Sequence, residues 1–184
     1  MKVYDFDKTI YKKDSTIEFY KYCLKVQPTL VKYLPKQIMF FLLWKANKVT
    51  KENFKEVFYS FLASLKDVNQ RVSDFWEVEN KNIENWYLEQ QEESDVVISA
   101  SPEFLLKGIC RELNISKLIA SKVNSNTGKL ESPNCYGQEK VVRFRAEFPT
   151  SVISIFYSDS LSDKPLGNES EKFVLIKKGK VVDE

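Results

Sequence analysis

Hydrophobic and polar positions change their spacing twice along the chain, dividing it into three stretches. Residues 1 to about 14 read as one short strand followed by a polar loop. From residue 15 to about 91 the apolar residues recur only at helical spacing. Phe54, Val57, Phe58, Phe61, Leu62 and Leu65 share one face of a helix that Thr50 is placed to cap. Val72, Phe75, Trp76, Ile83, Trp86 and Tyr87 make a further stripe. Such aromatic stripes predict the core of a helical bundle, with a few rings left to line an opening. Ser15-Thr16-Ile17-Glu18 fits a capping box, in which Ser15 and Glu18 each take up the other's free amide.

From about residue 94 onward, short β-branched runs alternate with helical stretches. Asp95-Val96-Val97-Ile98-Ser99, Leu118-Ile119-Ala120-Ser121, Val152-Ile153-Ser154-Ile155-Phe156-Tyr157 and Phe173-Val174-Leu175-Ile176 read as strands. Ser101 is placed to cap a helix with Pro102 at its first position. Strands without strict alternation, separated by helices, predict a parallel sheet covered on both faces, a three-layer α/β/α Rossmann-like arrangement. The expected division is a core domain of residues 1–14 and 92–184 with a helical unit of residues 15–91 inserted after the first strand. An insertion there stands above the carboxyl edge of the sheet, where such folds bind ligands, and is placed to act as a lid.

Composition narrows the function. The 184 residues carry a net charge of +2 with no histidine. That balance, with no basic stripe, predicts no nucleic-acid partner. Cys23, Cys110 and Cys135 lack metal-ligand spacing and read as free thiols of a reducing, cytoplasmic compartment. Charge arrives before any apolar run at the start, unlike a signal peptide. Ile38 to Trp44 is apolar all round but only seven residues long, against the ~20 of a bilayer span. A buried helix is therefore expected there, with contact to lipid or a greasy substrate as the alternative.

Four groups of polar residues sit where predicted strands end or helices begin. In Asp5-Phe6-Asp7-Lys8-Thr9, extended backbone projects both aspartates to one side and turns Phe6 into the core. Two carboxylates so close need a cation or a shared proton. Magnesium suits such a site, because it takes hard oxygen ligands and pairs one or two carboxylates with a phosphate. Ser99 closes the second strand, where its hydroxyl can meet a phosphate oxygen; alone it is a plain strand-end serine. Lys140, in Gly137-Gln138-Glu139-Lys140, opens a helix against the dipole and alone reads as a solvated surface charge. Tyr157-Ser158-Asp159-Ser160-Leu161-Ser162-Asp163 adds two acids after the strongest strand, with Asp159 the better metal ligand and a self-bonded turn the plainer alternative.

Taken in order, Asp5-Phe6-Asp7-Lys8-Thr9, Ser99, Lys140 and Asp159 with Asp163 resemble the four motifs of the haloacid dehalogenase-like hydrolases. The helical insertion is similar to the cap of the phosphoserine phosphatase-like branch. The resemblance implies a phosphatase acting on a small phosphorylated metabolite, with Asp5 as nucleophile and Asp7 as acid and base. It implies Mg2+ held by Asp5, Asp159 and the Asp7 carbonyl, with Asp163 orienting that shell, Thr9 supporting, and Ser99 and Lys140 on the phosphoryl group. Asp14 falls where such enzymes place an acid that contacts substrate. Arg71 is the only arginine of the insertion, and Phe61 falls near the position where those enzymes keep an arginine. Phosphoserine itself is therefore not the expected substrate. The same residues would serve a phosphotransferase or mutase; a phospho-accepting signalling domain or a silent binding protein are the readings from other classes.

Overall fold

The structure, a computed structural model, describes residues 1–182; the last two residues of the expected core domain lie outside the described residues. Six strands form one sheet: β1 (Lys2–Tyr4), β2 (Val96–Pro102), β3 (Lys117–Ser121), β4 (Ile153–Ser158), β5 (Ser170–Lys177) and β6 (Lys180–Val182). Their order is β3-β2-β1-β4-β5-β6, parallel throughout except for the β5–β6 pair. The fold is thus the expected Rossmann-like α/β sheet, with an antiparallel edge strand the sequence pattern did not indicate.

Neighbouring residues on the central strands enter opposite cores, which explains why those strands lack polar alternation. Val3, Val96, Ile98, Ile153 and Phe156 pack on one face with Val141 and Phe144 of α7 (Gln138–Glu147) and Leu166 of α8 (Lys164–Gly167). Tyr4, Val97 and Tyr157 pack on the other with Leu105, Leu106 and Ile109 of α6 (Glu103–Glu112). Between β1 and β2 the chain is helical: α1 (Ser15–Val26), α2 (Leu34–Lys45), α3 (Lys51–Tyr59), α4 (Val68–Glu79) and α5 (Asn85–Gln90). The second core continues into these helices through Phe19, Phe61, Phe75, Trp76 and Tyr87. The Trp76 indole donates to the Leu105 carbonyl at 2.6 Å, fastening α4 to α6.

Four local expectations are corrected. The cap of α1 is Asp14, whose Oδ1 accepts from the Ile17 amide at 3.0 Å; Ser15 is buried and its amide donates to Asp7 instead. Ser101 caps nothing, because β2 runs on to Pro102 and the serine hydroxyl turns toward Asp7. Thr50 does cap α3, but the helix tightens after Tyr59 rather than continuing to Leu65. There the Ser60 hydroxyl donates back to the Val57 carbonyl at 2.7 Å and competes with the helical ladder. Finally, α2 is not buried: Ile38, Met39, Phe41 and Leu42 are exposed. Among the described residues, no helix is long and apolar enough to cross a membrane.

Gly128 shows how tightly the late loop meets α3. Its φ is +76°, and a Cβ there would overlap the Tyr59 carbonyl. Gly128→Ala is expected to lower stability by about 2 kcal/mol, measured by urea denaturation, from left-handed strain and the overlap together.

Candidate active site

The three central strands deliver their carboxyl ends to one place. The Asp5 amide donates to the Tyr157 carbonyl at 2.8 Å, so the ladder between β1 and β4 runs one residue past β1. That bond leaves the Asp5 carboxylate at the edge where strand order switches direction, the ligand-binding position of such sheets. Lys140 meets it from α7. Its Nζ donates to Asp5 Oδ1 at 2.7 Å and to Asp163 Oδ2 at 2.6 Å, and the residue is only 1% exposed. Read alone as a solvated charge, Lys140 is instead the buried link between the first and last acids. Gly137 makes this possible, since its φ of +58° starts α7 at an angle other residues resist. Asp163 also accepts from Ser158 Oγ at 2.8 Å.

Asp7 lies beside this link, after Phe6 has turned into the core. Its Oδ1 accepts from the Ser15 amide at 2.7 Å and its Oδ2 from Ser101 Oγ at 2.5 Å. Ser101 in turn contacts Thr16 Oγ1 at 2.9 Å, which ties Asp7 to α1. Asp5, Asp7, Asp14, Ser99, Lys140, Asp159 and Asp163 all line one cavity of about 340 Å³. Thr9 does not line it; it is fully buried below, and its hydroxyl has no partner among the described residues. Ser99 Oγ accepts from the Ser101 amide at 3.1 Å. Asp14 lines the cavity while one of its oxygens caps α1.

Burial dominates the electrostatics. It raises the Asp5 carboxyl to about 7 against the pull of Lys140, with Asp163 and Asp7 adding to the rise. It raises Asp7 to about 6, with the Asp14 charge adding and the bonds from Ser101 and Ser15 opposing. Burial works against the Lys140 ammonium, but Asp5 and Asp163 outweigh it, so the lysine is held above its ordinary value. Asp159 is raised by burial and Asp163, opposed by Lys8 and Lys140. The cavity thus holds two acids, Asp5 and Asp7, raised toward neutrality, with the Lys140 ammonium bonded to the first of them.

The sequence pattern of haloacid dehalogenase-like hydrolases matches residues 3–168. The chain belongs to that family. Among solved structures, a protein of unknown function from Bordetella pertussis Tohama I is 17% identical, with a TM-score of 0.78 over 95% of this chain and 88% of that one. A phosphoserine phosphohydrolase-like protein from Francisella tularensis subsp. tularensis SCHU S4 is 19% identical, with a TM-score of 0.60 over 95% and 87%. Cytosolic 5'-nucleotidase IIIB bound to cytidine is 13% identical, with a TM-score of 0.61 over 94% and 70%. These likenesses show the fold. No curated protein matches the sequence.

The cavity and its bracing include residues that sequence reasoning passed over. Ser101 bonds Asp7; Lys51, Lys55 and Tyr136 line the cavity; Ser158 braces Asp163. Lys55 Nζ donates to the Ala100 carbonyl at 2.7 Å and to Asn134 Oδ1 at 2.6 Å, joining α3 to the end of β2. A signal did exist: Lys51, Phe54, Lys55 and Phe58 share one helical face, and the lysines interrupt what would otherwise be an apolar stripe. Arg71 and Phe61 do not line the cavity.

Among the described residues, no three acidic side chains converge as a closed metal cluster. Magnesium does not need one, since it keeps waters and takes one or two carboxylates. Asp5 and Asp159 face one cavity; Lys140, the cation bonded to Asp5, is shared with Asp163, and no ion pair joins Asp159 among the described residues. Hard carboxylate oxygens on one cavity fit a divalent cation such as magnesium.

Replacing Lys140 with Met leaves two buried carboxylates facing each other. Lys140→Met is expected to lower stability by about 3 kcal/mol at neutral pH, measured by chemical denaturation. The deficit should shrink at mildly acidic pH, where a proton replaces the lost cation.

Proposed function

We propose that the protein is a magnesium-dependent phosphatase that hydrolyses a small phosphomonoester through a phosphorylated Asp5, with residues 15–91 serving as a cap over the cavity. What carries this reading is one arrangement: a buried carboxylate held at the sheet edge by the Lys140–Asp163 pair, with a second carboxylate, Asp7, in the same cavity.

In the first step an Asp5 oxygen attacks phosphorus and the bond to the leaving oxygen breaks. Asp7 hands its proton to that oxygen, a role suited to a carboxyl raised to about 6. In the second step Asp7 takes a proton from water as the water oxygen attacks phosphorus, releasing phosphate and the Asp5 carboxylate. Ser101 and the Ser15 amide hold Asp7 in place through both. Ser99 and Lys140 bind phosphoryl oxygens, and Asp163 positions the lysine. The Asp5 and Asp159 carboxylates and the Asp7 carbonyl would hold magnesium. When bound, the ion offsets charge on the transferring phosphoryl group.

The wall above the acids favours an anionic substrate with an apolar part. Trp44, Phe54 and Phe58 line it beside Lys51 and Lys55. No arginine lines the cavity among the described residues, which supports a substrate other than phosphoserine; Phe61 lies in the core and does not occupy the place of a substrate-binding arginine. We infer a cytoplasmic enzyme from its three free, buried cysteines.

A panel of phosphorylated metabolites assayed with and without magnesium tests the proposal. Asp5→Asn should lower phosphate release by about a thousandfold or more, with the circular dichroism spectrum unchanged. Unchanged turnover in that variant would sink the nucleophile assignment. Phosphate appearing on added alcohols instead of in solution would reassign the enzyme as a phosphotransferase.

A second expectation concerns pH. Burial lowers Lys55 to about 8, with the Lys51 charge adding to the drop. The ammonium is present below that value and lost above it, so KM for an anionic substrate should rise as pH climbs past about 8. Steady-state kinetics on Lys55→Met should show a KM about tenfold higher at neutral pH and no rise at the alkaline end.

A further inference from the structure

Helix α2 treats its apolar residues unlike the rest of the molecule. Of its twelve residues only Gln37 is buried. Gln37 accepts from the Tyr20 hydroxyl at 2.6 Å and donates to the Phe58 carbonyl at 2.8 Å, so the polar residue of the helix faces the protein. Ile38, Met39 and Leu42 are 56%, 49% and 59% exposed. With Pro35 and Ala46, also exposed, they fall on one side of the helix at intervals of three and four. Val31, in the preceding turn, is 56% exposed. The result is an aliphatic ridge.

The charge around that ridge is of one sign. Residues 19–51 contain seven lysines and no aspartate or glutamate, while the remainder of the chain is net acidic. Lys32, Lys36, Lys45 and Lys48 flank or end the ridge and are exposed. The Lys45 ammonium lies 4.6 Å from the Trp44 ring centroid, pairing an aromatic and a cation at the end of the helix.

We propose that this face docks on an anionic lipid bilayer. The ridge presents aliphatic side chains outward, the form that enters the boundary between headgroups and acyl chains. Lysines at its margins reach headgroup phosphates while their stems stay in apolar surroundings, and each adds about a fivefold gain in affinity. No acid in the segment opposes the approach. Trp44 belongs to the same helix and lines the catalytic cavity, so docking sets that wall of the cavity toward the surface. The inference does not depend on the phosphatase reading, because it concerns binding without turnover.

Sedimentation of the purified protein with vesicles tests it. Binding is expected on vesicles of phosphatidylcholine mixed with phosphatidylglycerol, at least about tenfold weaker on phosphatidylcholine alone, and reversed by added salt. Ile38→Asp combined with Leu42→Asp should abolish binding, and Lys36→Glu combined with Lys48→Glu should weaken it about tenfold or more. Both pairs are exposed and outside the cavity, so circular dichroism and thermal melting should match the parent chain. Equal binding to both vesicle types, or binding that survives the double aspartate change, would overturn the proposal. A dimer that the double aspartate change converts to monomer, with no vesicle binding by the parent, would assign the face to a second copy.

Discussion

Lys140 sits between two carboxylates contributed by distant parts of the chain, and the rest of the site takes its position from that contact. Its partners lie 135 residues before it and 23 after it. A buried ammonium with one partner missing is expensive, so the start of the chain, helix α7 and the loop after β4 are held in a single arrangement. The aspartates that emerge from β1 and follow β4 therefore face one another across the central strands. Their placement at the switch in strand order follows from topology; their charge state follows from burial and from the single lysine between them.

A second polar chain joins this centre to the inserted helices. Asp7 receives the Ser15 amide and the Ser101 hydroxyl, and Ser101 meets Thr16. From α3, Lys55 reaches the Ala100 carbonyl. Helices α1 and α3 are thus bonded to the end of β2 at the acids themselves. The aromatic core that fills the space behind them is continuous with one face of the sheet. Side chains of these helices that line the cavity and the acids at the sheet edge consequently share hydrogen-bond partners, as Thr16 and Asp7 share Ser101.

What the sequence revealed and concealed follows from the range of the forces involved. The strands were legible because strand geometry is local: alternate residues share a side. Most of the aromatic stripes were legible as core for a similar reason, since helical spacing needs no partner to be recognised. Asp5 and Asp7 were expected to share a side as parts of one extended segment; β1 ends at Tyr4 and Phe6 lies in a turn, and the two acids face one cavity through that turn instead. Lys140 was not legible as a buried residue, because its burial depends on acids distant in sequence. Ser101 had a plausible local role before Pro102, and only the folded position of Asp7 gives it a different one. Asp14 and Ser15 are both good caps, and the choice fell to Asp14 because Asp7 claims the Ser15 amide. Helix α2 was expected to be buried because a uniformly apolar run carries no mark of which way it faces. Tyr20 and Phe58 decide that, by offering Gln37 a donor and an acceptor.

The central position of β1 has a kinetic consequence. Val3 pairs with Val96 on one side and Phe156 on the other. Of these strands β1 is made first, yet one of its edges stays open until β2 has followed and the other until β4, at residues 153–158, has been made. Helices of the insertion can form from nearby residues meanwhile, while sheet closure must wait for loops of great length to be drawn together. Synthesis thus carries a period in which an unpaired apolar strand is available to other chains, so yield in cells should depend on translation speed and chaperone supply more than the stability of the finished molecule would suggest.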